Sequence, residues 1–541
     1  MKQNNHSIKN RFFASVLGNI SKSGISFLTA ILLAKWLGPE DYGRMVFLLG
    51  SFTAFMQLLN MSSSDAFFTF ISKRQRSLKF IQYFWVWILI QFLFSLFLFI
   101  NFLPESIIKT VWVGEKRELV VLAMIAAFMQ QQVWNISSRM AEAQRETVRL
   151  QKLTVLVFLI HLIAMVSLWF FGKLILPIIF VALIGEWLIA SILIVKVYKV
   201  EKHTYSMNNT ETIYSIFKEY WVYCLPLIPF VWFSFAHDFA DYWMLQNWGG
   251  SKQQAYYSIA NHIAAVSLLA TTSILRILWK EISEAKQKGD VQRIKFLYKK
   301  ATRMLYFFGA FLAGGLIPWS YEIINILLGG EYMGAVLTFS IMIFYPLHQS
   351  LGQINGTMLY ATEKTRALSI IGLSFLSSSI IVSYMFLAPE TSIVPGLNLG
   401  SEGLAIKMVV MQLIFVNIMG YAVAKLIGFK FDWFYQIIGI VLTCSFGYLC
   451  KTIIVSIISV PILAKIIFSS LLYTGCVAFI IYLMPWLIDV SRIELVHNSE
   501  KILSRILPMN INGAANIPAP TKPRGAIFSL YTYTFPSTIS I

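Results

Sequence analysis

The chain has 541 residues, of which 57% are hydrophobic and 13% are charged, and its formal net charge is +18. A charged fraction about half the usual ~25% excludes an ordinary soluble domain. Because the Lys and Arg residues cluster between apolar runs, the positive-inside rule explains the net charge more simply than nucleic-acid binding does.

About fourteen apolar runs are each long enough to cross roughly 30 Å of hydrocarbon. Connections rich in Lys and Arg alternate with poorer ones, which predicts that both termini lie in the cytoplasm. The runs lie near residues 12–36, 43–71, 81–103, 119–141, 153–171, 175–197, 220–246, 254–279, 303–328, 334–361, 367–388, 403–427, 433–457 and 462–487.

After the last run the chain becomes polar and then rich in Pro, Gly and Asn. Residues 491–541 are therefore predicted to form a cytoplasmic tail that is partly disordered. Apolar residues between 493 and 507 have the spacing of an amphipathic interfacial helix.

Short segments recur in the same order in the two halves of the chain, which predicts an internal repeat. Three pairs correspond: Trp36–Gly38 with Trp248–Gly250, Val113–Glu115 with Gly329–Glu331, and Ala143–Thr147 with Ala361–Thr365. Corresponding segments are six spans apart, and because six is an even number both halves have the same orientation in the membrane. The prediction is an all-α polytopic membrane protein with an N-terminal six-helix lobe (1–200), a C-terminal six-helix lobe (201–430) and two additional helices (431–490).

The segment Gly38–Gly43, after a first span ending in Trp36-Leu37, resembles the LGPxxYG-like signature of Wzx-type polysaccharide repeat-unit flippases. Gly330-Glu331-Tyr332 resembles the GEEY-type turn in the second half of these proteins. They belong to the MOP superfamily, with the multidrug MATE exporters and the lipid II flippases. The resemblance covers roughly residues 8–430.

The resemblance implies a V-shaped, MATE-like transporter that alternates between inward and outward openings. Its implied substrate is an undecaprenyl-diphosphate-linked oligosaccharide, moved across the bacterial inner membrane for O-antigen, capsule or exopolysaccharide synthesis. A polysaccharide polymerase and a chain-length regulator are the implied protein partners, beside membrane lipids.

Lys22 lies near the centre of the first span, where a cation costs roughly 2.5–3.5 kcal/mol on insertion scales. Asn19, Lys22 and Ser26 share one helical face, and Asn19 is a candidate for substrate binding beside Lys22. We expect Lys22 to contact the diphosphate of a lipid-linked substrate, with a structural ion pair as the alternative. Further candidates for substrate binding, with packing or interfacial anchoring as their alternatives, are Gln132, Asn135, Arg139, Arg276, Gln349 and Gln353.

In the seventh span, Ser234, His237, Asp238 and Asp241 form one helical stripe. Two carboxylates beside an imidazole perturb one another's protonation, which suits coupling to a proton or sodium gradient. The alternative is a gating salt bridge to Lys22 or another cation of the first half. Asp65, in the second span, is a further coupling or gating candidate.

The sequence contains no Walker A motif, no GxSxG elbow and no HExxH pair, so we expect neither an enzyme nor a metal or cofactor site. Two alternatives to a flippase remain. A MATE-like exporter would use the acidic stripe to bind an organic cation. A polytopic glycosyltransferase or polymerase would use the acidic pair Glu40 and Asp41.

Overall fold

The computed structural model describes residues 8–197, 205–206, 211–362, 364–490 and 492. Twelve continuous helical runs in these ranges are long and apolar enough to cross a membrane. Two of them, Ala14–Asn60 and Ile213–Leu268, have 47 and 56 residues. At 1.5 Å per residue they are about 70 and 84 Å long, enough for two crossings each. Ten single and two double crossings give fourteen, which confirms the predicted all-α, multi-pass membrane protein.

The first half provides six crossings. Short π-helical turns extend α3 and α8 and join α5 to α6. Its helices are α1 (Ile8–Asn60), α2 (Ser63–Lys73), α3 (Leu78–Phe97), α4 (Glu105–Val111), α5 (Arg117–Phe128), α6 (Asn135–Ala143), α7 (Thr147–Phe170) and α8 (Leu176–Ile192).

The second half provides six more crossings, and two further helices follow it. The second half consists of α9 (Ile213–Cys224), α10 (Ile228–Met244), α11 (Gly250–Ala265), α12 (Leu269–Gln287), α13 (Val291–Leu316), α14 (Ser320–Leu328), α15 (Ala335–Met342), α16 (Tyr345–Ala361), α17 (Thr365–Leu387) and α18 (Gly400–Ile427). The two further helices are α19 (Phe434–Ile457) and α20 (Ile462–Leu483). Strands β1 (Arg76–Ser77) and β2 (Tyr205–Ser206) form a two-residue parallel pair. The apolar tail residues 493–507 lie outside the described residues.

The backbone confirms the internal repeat. Gly38 breaks α1 with φ 71° and ψ 169°, and Gly250, at the corresponding place, has φ 78° and ψ 177°. Glycine adopts such positive φ values readily because it lacks a Cβ atom. The paired turns ahead of Glu115 and Glu331 also contain positive-φ glycines, Gly114 and Gly329. Gly114 directly precedes Glu115, whereas Gly329 lies two residues before Glu331, so the second turn recurs with its positive-φ glycine displaced by one residue.

We call the end of the bundle that carries Gly38 and Gly250 the glycine end, and the opposite end, with most of the connecting Lys and Arg, the basic end. At the glycine end the two halves touch closely. A Cβ atom on Gly43 would lie only 1.8 Å from the carbonyl oxygen of Ser251. The largest buried cluster also combines residues of both halves. Close backbone packing therefore closes the glycine end.

Candidate substrate and coupling sites

The predicted stripe on α10 belongs to a buried polar network. Lys407 of α18 is completely buried, and its Nζ donates to Asp241 Oδ2 at 2.6 Å. The same Nζ lies 3.3 Å from His237 Nε2. A buried ammonium and carboxylate thus compensate each other in the second half.

The network extends to Asp238 on the same helix and to two other helices, α17 and α1. His237 Nδ1 lies 2.9 Å from Asp238 Oδ1. Ser379 and Ser383 of α17 hydrogen-bond to His237 and Asp241, respectively. Gln57 of α1 donates to Asp238 Oδ2 at 3.1 Å, which links the network to the first half. The arrangement places exchangeable protons on adjacent groups at a contact between the halves.

The cation that neutralises this stripe is not the one expected from the sequence. The gating alternative named Lys22 or another cation of the first half, whereas the partner is Lys407 of the second half. The sequence interpretation missed Lys407. The criterion that singled out Lys22, a cation inside an apolar run, would also have found it.

Lys22 is half-buried where α1 packs against α7. Its Nζ lies 5.2 Å from the centre of the Phe158 ring. Among the residues that the structure describes, Lys22 makes no ion pair, so the structural ion pair weighed as its alternative role is absent there. Asn19, one turn away on α1, is also half-buried. Within the described ranges, Lys22 therefore offers a positive charge that no carboxylate compensates.

Arg139, Asn135 and Asp65 come together, although the sequence assigned Arg139 and Asn135 to substrate binding and Asp65 to coupling or gating. Arg139 Nη1 donates to Asp65 Oδ1 at 2.6 Å, and Arg139 Nε donates to Asn135 Oδ1 at the same distance. The arginine side chain is 14% exposed. Its charge is compensated inside the first half, so Arg139 is a weaker candidate for binding an anion than Lys22.

The predicted glutamines differ in environment. Gln132 is buried and donates to the Met56 carbonyl at 3.0 Å, which ties two crossings of the first half together. Gln349 and Gln353 of α16 are half-buried, and the amide oxygen of each has no hydrogen-bond partner within the described ranges. These two oxygens are buried and have unused capacity to accept hydrogen bonds. Arg276 lies on α12, and its side chain is outside the described part of the chain.

A second contact between the halves, missed by the sequence interpretation, lies at the basic end. Arg76 is 2% exposed and donates to Glu211 at 2.8 Å and to Glu219. Its guanidinium also stacks 4.6 Å from the centre of the Phe80 ring. Ser77 donates its N–H and its hydroxyl to Glu211. We call Arg76, Ser77, Glu211 and Glu219 the latch.

Acid should weaken the latch. Burial by itself raises the pKa of Glu211, but hydrogen bonds from Ser77 and Arg76 outweigh burial and hold it below the ordinary 4.5. Because the folded pKa is lowered, the stabilisation is complete above about pH 4.5 and is lost as the pH falls through the lowered value. Distances between spin labels on the two halves at the basic end should lengthen on acidification.

Glu211→Gln should produce that longer distance at neutral pH. Glu284→Gln is the matched control, since Glu284 makes an exposed ion pair with Lys280 on α12. Unchanged distances in Glu211→Gln would show that the latch does not hold the halves together.

No protein-family model matches the chain, and none of the curated proteins matches its sequence significantly. Solved structures do match. Lipid II flippase MurJ, in an inward closed conformation, aligns with a TM-score of 0.63 and 17% identity over 86% of this chain and 98% of that chain. The inward-facing conformation of a multidrug resistance MATE family transporter of the MOP superfamily aligns with a TM-score of 0.58 and 14% identity. The alignment covers 75% of this chain and 94% of that chain.

A MOP superfamily transporter from Pyrococcus furiosus aligns with a TM-score of 0.52 and 13% identity, over 77% of this chain and 96% of that chain. The chain has the fold of MOP superfamily transporters. Within this MOP fold, Lys22 belongs to the first half and the Lys407 network to the second. The expected superfamily resemblance is thus confirmed at the level of the fold.

Proposed function

We propose that the chain is a flippase for undecaprenyl-diphosphate-linked oligosaccharide repeat units. It moves them from the cytoplasmic to the outer face of a bacterial inner membrane by alternating access, for O-antigen, capsule or exopolysaccharide synthesis. Both termini are cytoplasmic, and a polysaccharide polymerase and a chain-length regulator act beside it. The MOP fold and the resemblance of Gly38–Gly43 to repeat-unit flippases support this assignment.

The uncompensated ammonium of Lys22 carries the proposal. A lipid diphosphate is an anion that must pass through a low-dielectric region, where charge-assisted hydrogen bonds to a cation are strong. Lys22 has no carboxylate partner among the described residues, so it meets an incoming phosphate without first breaking an ion pair. The amide oxygens of Gln349 and Gln353, which are buried here without hydrogen-bond partners, would accept from sugar hydroxyls in a conformation that exposes them.

A MATE-like exporter is the alternative, and the Lys407 network argues against it. An organic cation would bind most strongly to an unpaired buried carboxylate. Asp241 already has the Lys407 ammonium at 2.6 Å, so a cationic drug would have to displace it. A glycosyltransferase or polymerase is disfavoured because Asp41, of the acidic pair with Glu40, is bonded to Arg44 at 2.9 Å.

The network favours protons over sodium as the coupling ion. A sodium ion needs several oxygen ligands, and Lys407 occupies the position beside Asp241 where such an ion would bind. A proton needs only a change of partner among His237, Asp238 and Asp241. Protonation of Asp238 would also alter its hydrogen bond with Gln57 and thereby the contact between the halves.

Transport in sealed vesicles tests the assignment. Purified protein should translocate an undecaprenyl-diphosphate oligosaccharide, faster with an imposed proton gradient than with a sodium gradient, and should not take up an organic cation. Cation uptake without lipid translocation would establish the exporter instead. Polymerised sugar in the same vesicles would establish the polymerase.

A further inference from the structure

A basic cavity lies where the second half meets the two additional helices, and none of its lining residues is a proposed substrate-binding or coupling residue. Its volume is about 240 Å³. It is bounded by α13, α16, α18 and the segment that leads into α19. Its basic lining residues are Lys295, Lys299, Arg303 and Lys430. We call this space the junction cavity.

Positive charge exceeds negative charge around the junction cavity. Arg303 donates to Asp432 and to the Trp486 carbonyl, and Lys299 pairs with Asp489 at 3.0 Å. Lys295 and Lys430 make no ion pair with any residue that the structure describes. Four basic side chains thus face two carboxylates.

The N–H donors of the basic side chains that remain unused around the junction cavity are suited to binding an anion. A guanidinium has five N–H donors. The Arg303 guanidinium donates to two oxygens, so further N–H donors remain for a ligand. The ammonium groups of Lys295 and Lys430 add donors that can turn toward a ligand. The neighbouring Asn355 amide is already satisfied by Tyr298 and the Val416 carbonyl. Free hydrogen-bonding capacity at the cavity is therefore concentrated in cations.

The junction cavity lies at the depth of lipid headgroups. Crossing helices begin at Val291 and Phe434 and end at Ile427 on its rim, which places it at one edge of the hydrocarbon layer. Trp433 and Phe434 beside it are 53% and 61% exposed. Exposed aromatic side chains at helix ends are typical of the membrane–water interface.

We infer that the junction cavity binds a phosphate-bearing anion, either the headgroup of an anionic phospholipid or a soluble phosphate. Basic pockets between membrane helices bind anionic headgroups by this combination of charge and depth. The volume is below the roughly 300–1,000 Å³ of sites for drug-sized ligands, so the cavity suits a compact group. Asp432 precedes α19 and Trp486 follows α20. Arg303 therefore ties both added helices to the core, and a headgroup would bind beside this junction through the N–H donors that Arg303 does not use there.

Lipid retention tests this inference on the full-length protein. Protein purified in detergent is mixed with equal phosphatidylglycerol and phosphatidylethanolamine, and retained lipid is counted by native mass spectrometry. Isothermal titration calorimetry with inorganic phosphate tests the alternative that the ligand is a soluble phosphate. The test variant is K295Q/K430Q, and the charge-matched control is K288Q/K364Q, two exposed lysines at the basic end away from the cavity.

We expect the wild type and the control to retain phosphatidylglycerol preferentially. K295Q/K430Q should bind it about 25-fold more weakly, because each lysine near an anionic surface contributes about a factor of five and the two factors multiply. Phosphate binding that depends on the same two lysines, without lipid preference, would support the site and identify the ligand as soluble. Binding of either probe that is unchanged in K295Q/K430Q, or equally reduced in the control, would overturn the inference, as would no binding at all. Equal thermal midpoints of the two variants exclude misfolding.

Discussion

Replacing Lys407 by Met should destabilise the protein by about 3–5 kcal/mol, since it removes one partner of a buried ion pair. The Asp241 carboxylate, 13% exposed, would lose the only ammonium within salt-bridge distance in the described part of the chain. The thermal midpoint in detergent measures the effect. Lys22→Met is the matched control, because it removes a cation from a crossing helix without breaking an ion pair.

The double variant Lys407→Met/Asp241→Asn separates lost charge compensation from lost packing. With both charges removed, no uncompensated carboxylate remains, so most of the lost stability should return. A double variant as unstable as Lys407→Met alone would show that the aliphatic stem of Lys407, rather than its charge, stabilises the contact between α10 and α18.

Replacing Lys22 by Ala should lower lipid-oligosaccharide translocation by about 10- to 100-fold, the equivalent of one hydrogen bond to a charged group at ~1.5–3 kcal/mol. Folding should be unaffected, because no ion pair with a described residue is broken. Initial rates in sealed vesicles, normalised to the amount of inserted protein, give the measurement. Lys22→Arg should retain part of the rate because it keeps the charge.

Lys35→Ala is the control for this substitution. Lys35 lies on the same helix but is exposed near the glycine end, so its removal should leave the rate unchanged. Wild-type rates in Lys22→Ala would remove Lys22 from the transport path. Equal losses in both variants would point to a general effect of charge on α1.

Local patterns predicted the crossings and the repeat because both depend on residues close in sequence. Gly38 and Gly250 were identifiable because each follows a tryptophan at the end of an apolar run, and the structure gives both the same backbone conformation. The stripe of His237, Asp238 and Asp241 was identifiable from helical spacing alone. These features require no knowledge of which helices are neighbours.

Pairings between distant helices could not be obtained in this way. The sequence named both Arg139 and Asp65 but gave no reason to join residues 74 positions apart. The latch joins Arg76 to Glu211 across 135 positions, and the positive-inside rule accounts for Arg76 without any partner. The pattern of apolar runs shows which residues enter the membrane. Which helices lie next to one another is determined only when they pack in the folded protein.

The contacts between the halves at the two ends of the bundle have different chemistry, so each can be altered without disturbing the other. At the glycine end, contact requires the absence of a side chain at Gly43, so Gly43→Ala acts as a wedge against the Ser251 backbone. At the basic end, contact requires opposite charges, so Glu211→Lys acts as a repulsive spacer against Arg76. Gly43→Ala acts through the volume of the added side chain, and Glu211→Lys acts through the reversed sign of its charge. Together they provide separate ways of arresting the molecule at opposite stages of the proposed transport cycle.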